Sequence, residues 1–337
     1  MKYRWILVSL LTIVLLLAAC ASGEQPQNTP TGGDADVLEP ELTPVHLPLG
    51  YIPNVQFAPL YVAVAKGYFA EAGFDVTFDY RAETDGVALV GQGELPFSVA
   101  SGEQVLLARA QGVPVVYVLA WFHDFPVGIA AKTDSGIETP QDLVGKKIGL
   151  PGLFGASYIG LRAFLSANGL SESDVVIDSI GYNQVEALSA DQEDAVVVYV
   201  TNEPIQLEAL GYPVVVFPVG DSMQLTANGL ISSETMIAEN PDAVRAFVQA
   251  FLHGIADTIA DPEEAYQISY DFVENLDQAD KDIQMQVLEK SIELWTADVP
   301  GYSEPQAWEN MLQVLMEMEL LTKPLPVEEA FTNQFVE

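Results

Sequence analysis

Apolar and polar side chains alternate without a break from Phe74 to Tyr80, with Phe74, Val76, Phe78 and Tyr80 on one side and Asp75, Thr77 and Asp79 on the other. That period of two predicts a strand with one buried face. The same reading puts strands at Val45 to Leu49, Leu95 to Ala100, Val115 to Trp121, Val127 to Ala131, Ile148 to Leu150, Val175 to Ile180, Ala195 to Val200 and Val214 to Val219. Helical patterns fall between them. They run from Pro59 to Lys66 with Gly67 as the stop, Gly86 to Val90, Glu103 to Gln111, Gly155 to Asn168 closed by Gly169, Gln184 to Ser189, and Glu203 to Leu210. Proline opens a first turn and glycine supplies the left-handed stop. From Asn240 onward the pattern is mainly helical, with Asn240-Pro241 and Asp261-Pro262-Glu263-Glu264 as starts. Strand and helix in this alternation predict an α/β fold with open, mostly parallel sheets. The length beyond Thr43 suffices for two domains, each with its own core.

The first 43 residues break the rhythm. Lys2 and Arg4 precede an apolar run that starts near Trp5 and ends Leu17-Ala18-Ala19-Cys20. A basic start, a short apolar stretch and small residues at its end predict a secretory signal over residues 1–19, too short for a spanning helix. Leu17 to Cys20 also resembles the lipobox of bacterial lipoproteins, which implies cleavage behind Ala19 and acylation of Cys20. Residues 20–43, rich in Pro, Gly, Thr and Gln, read as a lipid-anchored flexible tether. Cys20 is the single cysteine of 337 residues, so disulfides, thiolate metal sites and thiol nucleophiles are excluded from the folded part. With 13 Lys and Arg against 48 Asp and Glu, the formal charge is −35. Nucleic acid is excluded as a partner, because phosphate contacts need clustered cations. The acids read as a solvated surface, with attraction of cationic ligands as the alternative.

The segment Gly50-Tyr51-Ile52-Pro53-Asn54-Val55-Gln56-Phe57-Ala58-Pro59-Leu60-Tyr61-Val62-Ala63 is followed by Lys66-Gly67-Tyr68-Phe69 and Glu71-Ala72-Gly73-Phe74-Asp75-Val76. It resembles the opening of a bacterial solute-binding family that serves ABC importers of thiamine pyrimidine precursors, sulfonates and related small molecules. Asp142-Leu143-Val144-Gly145-Lys146-Lys147-Ile148-Gly149 and the small-residue loop Gly152 to Ser157 extend the resemblance, which covers about residues 45 to 260. It implies a two-lobe, type II periplasmic-binding-protein-like fold, each lobe a mostly parallel sheet flanked by helices, joined by two crossing strands. The crossings would fall near Ala120 to Phe125 and Ser222 to Asn228. One lobe then comprises residues 44–126 and 229–337, the other 127–228. Ligand would bind at the hinge, where the carboxyl ends of open α/β strands also favour it on physical grounds. Within the family the sequence looks most like riboflavin-binding members. That implies riboflavin as transported ligand rather than cofactor, an ABC permease with its ATPase as partners, and no chemistry on the ligand.

Candidate contacts follow from asking what each strand-to-helix loop offers. Tyr51, Asn54, Gln56 and Phe57 pair aromatic surface with amides, which suits a flat heterocycle; Phe57 reads equally as core and Asn54 as a turn residue. Trp121, His123 and Phe125 form one alternating set of an aromatic cluster, Phe122 and Asp124 the other. The first set is the cleft-lining candidate, with core packing as the alternative. Phe154, Gly155, Ser157 and Tyr158 stand at a helix start, where free N–H groups suit a carbonyl or anionic oxygen; Ser157 reads alternatively as a plain N-cap. Tyr199, Thr201, Asn202 and Glu203 follow a strand, Glu203 as an acceptor for a heterocycle N–H or simply as a first-turn acid.

An enzyme of the pyrimidine-synthase kind is the less favoured alternative. Those proteins resemble the opening motif, but their activity is associated with a Cys-rich motif that this chain lacks. No Gly-x-Ser-x-Gly elbow and no two-histidine metal motif occurs. Few cations in the expected cleft argue against phosphate or sulfonate as the sole anchor, although helix N-termini can substitute. The aromatics suit a large planar ring such as isoalloxazine, with a thiamine pyrimidine precursor or another small aromatic or sulfonate solute as the runner-up.

Overall fold

A computed structural model describes residues 42–336 of the chain. The predicted signal, almost all of the tether and Cys20 lie outside the described residues. In chain order the elements of the first half are β1 Thr43–Pro48, α1 Ala58–Ala65, α2 Tyr68–Glu71, β2 Phe74–Asp79, α3 Glu83–Gly91, β3 Phe97–Ser101, α4 Gly102–Ala110, β4 Val115–Ala120, β5 Val127–Lys132, β6 Lys147–Leu150 and α5 Gly155–Ala167. Then come β7 Val176–Ser179, α6 Gln184–Ser189, β8 Ala195–Tyr199, α7 Glu203–Ala209, β9 Val214–Pro218, β10 Asn228–Ser233, α8 Glu234–Glu239, α9 Pro241–Ala260, α10 Pro262–Ser269, α11 Lys281–Trp295 and α12 Pro305–Glu317.

The strands fall into two lobes. In lobe I, β1 pairs with β2 in parallel, and β10 runs antiparallel between β3 and β4. Lobe II holds one five-stranded sheet in the order β7-β6-β8-β5-β9, in which β5 alone runs against its neighbours. The odd strand of each lobe, β5 or β10, directly follows a crossing, since a chain arriving from the other lobe enters the sheet from its opposite end. The sheets are parallel apart from these two strands and flanked by helices.

Alternation along the strands decides which face each helix covers. In β5 and β8, Ile129, Ala131, Ala195 and Val197 join the main core, whereas Ala130, Val196 and Val198 form a separate cluster with Leu188 of α6 and Leu207 of α7. In lobe I the long helix α9 seats Phe247 against Phe97, their rings stacked with centroids 4.1 Å apart. Gly254 lets α9 approach α1: a Cβ there would lie 2.1 Å from the Pro59 carbonyl oxygen. The predicted stops Gly67 and Gly169 have φ of 80° and 71°, a conformation glycine adopts without strain.

Candidate functional site

Between the lobes lies a cleft of about 940 Å³, counting the space at its open mouth. Lobe I contributes Tyr51, Gln56 and Phe57 from the loop after β1, Glu83 and Thr84 from the start of α3, Gln104 from α4, and Trp121 and Phe122 from the first crossing. Lobe II contributes Phe154, Gly155 and Ser157 at the start of α5, Tyr182 and Gln184 at the start of α6, and Tyr199, Asn202 and Glu203 after β8. Asn228, the first residue of β10, closes the floor. Every one of these loops follows a strand at its carboxyl end or a crossing, which is why they converge.

The lobes touch across the cleft. Gln56 Nε2 donates to Thr201 Oγ1 at 2.8 Å, and also to Ser291 Oγ on α11 at 3.3 Å. Both amide protons of Gln56 are thereby engaged, and what it offers the cleft is its carbonyl oxygen. Asn202 Nδ2 donates to Tyr51 Oη at 3.4 Å, Tyr199 Oη donates to Asn228 Oδ1 at 2.9 Å, and the Tyr51 and Tyr182 rings meet edge to face at 4.9 Å.

The wall is aromatic and acidic. Trp121, 2 % exposed, is held among Phe57, Phe122, Phe251 and Trp295, and its indole N–H has no partner within the protein. Glu203 Oε2 accepts the Tyr199 backbone N–H at 2.9 Å, while burial pushes its carboxyl up to about 7. Burial also raises Glu83, against hydrogen bonds from Ser101 and Asn228 that favour its charge. Among the described residues no Lys, Arg or His lines the cleft. The α5 N-terminus faces it without any side-chain cap, leaving backbone N–H groups for a ligand oxygen. Ser157 therefore does not act as the N-cap, and Phe154 stands there, 57 % exposed.

Ten of the residues singled out from sequence meet on this wall: Tyr51, Gln56, Phe57, Trp121, Phe154, Gly155, Ser157, Tyr199, Asn202 and Glu203. Four do not. Asn54 caps the short helical turn that follows it, accepting from Gln56 N at 2.9 Å. His123 turns toward the C-terminal helices, donating its backbone N–H to Leu294 O and accepting from Gly301 N. Phe125 packs on Gly160 of α5. Tyr158 donates to Glu172 at 2.7 Å on the outer side of α5. The Trp121, His123, Phe125 set fails because β4 ends at Ala120 and the crossing bends, so Trp121 and Phe122 both reach the cleft. Glu83, Tyr182 and Asn228 are sequence-invisible members of the wall only in part: Glu83 and Tyr182 follow β2 and β7 just as Tyr199 to Glu203 follow β8.

Residues 54–265 match the model of the family described as NMT1/THI5 like. The chain belongs to this family. It is 40% identical to the riboflavin-binding protein RibY of Chloroflexus aurantiacus, over 100% of this chain and 98% of that one. It is 28% identical to the formylaminopyrimidine-binding protein of Halalkalibacterium halodurans, over 97% and 98%. Its fold is similar to that of the periplasmic aliphatic sulphonate binding protein SsuA from Escherichia coli, with a TM-score of 0.69, 14% identity and coverage of 86% and 97%. Both relatives, each matched over nearly the whole of this chain, are named as binding proteins, and the fold is shared with a periplasmic binding protein. Among the described residues no helix is long and apolar enough to cross a membrane.

Proposed function

We infer that the protein captures riboflavin outside the cell and delivers it to an ABC permease driven by its ATPase. The observation that carries this reading is a cleft with aromatic walls, two acids and, among the described residues, no cation. Such a lining favours a flat, uncharged heterocycle with N–H and carbonyl groups on its edge: rings stack, the carboxylates accept, and the open α5 N-terminus donates. The 40% identity to a riboflavin-binding protein points to the same ligand. Riboflavin is cargo in this reading and no cofactor takes part. Acylated Cys20 would hold the protein on the outer face of the cell membrane, stably if two or more acyl chains are attached.

A formylaminopyrimidine is the second reading, favoured by the two cleft carboxylates, which suit its amino group. The deciding experiment is a fluorescence titration of the purified protein with riboflavin, with riboflavin 5′-phosphate and the pyrimidine as competitors. Sub-micromolar riboflavin binding, about −8 kcal/mol or tighter, with quenched flavin emission is expected. The phosphate ester should bind weaker, as its charge meets Glu83 and Glu203 with no cation beside them. Tight pyrimidine binding without flavin binding would transfer the function to the second reading.

A further inference from the structure

Ser101, the last residue of β3, sits between two acids. Its Oγ lies 2.6 Å from Glu83 Oε2 and is also hydrogen-bonded to Glu103 Oε1. A serine hydroxyl has one proton to donate. It can give that proton to one carboxyl only, so the other carboxyl must donate to it and must itself be protonated. The surroundings decide which. Glu103 is fully buried at 0 % exposure; apart from Ser101 and its own backbone N–H it meets only the Gln104 amide, at 3.4 Å, and its Oε2 has no hydrogen-bond partner. An ionised carboxylate so poorly partnered in the interior is strongly disfavoured. Glu83 instead accepts from Ser101 N at 3.0 Å, from Ser101 Oγ, and from Asn228 Nδ2 at 3.0 Å, and it lines the cleft. Three donors stabilise its charged form.

We propose that Glu103 is held protonated and donates to Ser101, which donates to Glu83, and that ionised Glu83 is the specificity-determining acceptor for an N–H on the ligand's edge. Glu103 works through Ser101 and is a positioning residue. The proposal rests on the cleft being the small-molecule site and adds the group recognised there: an imide or amino N–H, not a carbonyl or an anion. Asn228 takes one lone pair of Glu83 Oε1 and leaves another for the ligand. Asn228 is fixed in turn by Tyr199 of lobe II, so the acceptor is aligned by both lobes. The groups facing the pair are Tyr117 of β4, whose hydroxyl donates to Ala227 O, and Tyr182, Tyr199 and Glu203 across the cleft. None is a cation, and burial together with the neighbouring Glu83 pushes Glu103 up to about 8.

The test uses the full chain. In the ligand-free protein at about pH 7, the difference between the infrared spectra of wild type and E103Q should contain a protonated carboxyl band from Glu103, over and above any band from Glu203 common to both; its absence from that difference overturns the proton assignment. Riboflavin should bind wild type at least about tenfold tighter than N3-methylriboflavin does, the loss expected for a hydrogen bond to a charged group. E83Q should lose about as much, whereas E103Q, whose amide can donate to Ser101, should stay within about twofold of wild type and E103A should not. As pH rises past about 8, wild type should weaken and E103Q should not. Equal binding of riboflavin and its N3-methyl analogue overturns the role of Glu83 even if E83Q fails to fold. If riboflavin does not bind at all, the ligand reading falls separately, and wild type and E83Q are compared on formylaminopyrimidine. Equal affinities there, or no binding of either probe, overturn the assignment of Glu83.

Discussion

Thr201→Val isolates the contact that joins the lobes most deeply. Thr201 is 0 % exposed and Gln56 6 %, and the Gln56 Nε2 to Thr201 Oγ1 bond spans the cleft at 2.8 Å. Valine keeps the shape and removes the acceptor. With the lobes together, one Gln56 N–H is then buried without a partner, while its other proton keeps Ser291; with the lobes apart, water satisfies it. An unsatisfied buried donor is unfavourable by about 1–3 kcal/mol, so the closing equilibrium should shift by roughly 5- to 150-fold. Where the closed form is a minority without ligand, that factor appears in full as weaker binding, because ligand affinity scales with the competent fraction. The assay is a ligand titration with small-angle scattering and a thermal melt of the ligand-free protein. Expected are weaker binding, a larger radius of gyration at sub-saturating ligand, little change in melting temperature, and recovery in Thr201→Ser. Unchanged affinity in Thr201→Val, or a serine variant as weak as the valine one, would refute the reasoning.

Glu203, raised by burial to about 7, binds more protons folded than unfolded, where its value is about 4.3. Its contribution to stability is therefore present at acid pH and lost as pH rises from about 4.3 to 7, on the order of 3 kcal/mol in all. Glu203→Gln should melt like wild type near pH 4 and higher than wild type near pH 8, and a lower melting temperature at pH 8 contradicts this. Gly254→Ala presses a methyl into the Pro59 carbonyl of α1 and should destabilise by about 1–3 kcal/mol, read by denaturant unfolding, while the affinity of folded protein stays unchanged. Gly50, at φ 80°, would carry a Cβ 2.6 Å from Glu83 Cγ. Gly50→Ala should lower stability by about 1–2 kcal/mol and weaken binding by displacing Glu83; destabilisation with unaltered affinity would remove Gly50 from the site.

Much of the fold was legible because burial follows the residue alternation directly. Phe74 and Val76 are buried where Asp75 and Thr77 are exposed, and Gly67 and Gly169 end their helices as their backbone freedom requires. The strand β10 was missed. Asn228-Gly-Leu-Ile-Ser-Ser carries only two large apolar residues, yet all six are buried because β3 and β4 cover its edges and Ser232 Oγ donates to Pro96 O. The same tertiary effect hid Asn228 from the site. Glu83 lies outside the helical pattern of the sequence, which starts at Gly86, whereas α3 opens at Glu83 with Asp85 in its first turn. The loops after β2 and β7 are placed as the loop after β8 is, so the same strand-to-helix reading points to Glu83 and Tyr182. Asn54, His123, Phe125 and Tyr158 carry the right chemistry in nearly the right place, but a cap, a bend and a helix's outer face direct them elsewhere, and no spacing rule reveals that.

The central claim is that this cleft selects riboflavin. Purified protein incubated with equal amounts of riboflavin, riboflavin 5′-phosphate, thiamine and formylaminopyrimidine, freed of unbound solute and then denatured, releases whatever it retained for identification by mass spectrometry. The account predicts riboflavin in near-equimolar amount with the phosphate ester scarcely detectable; retention of the pyrimidine in its place, or of the phosphate ester in equal measure, would contradict it.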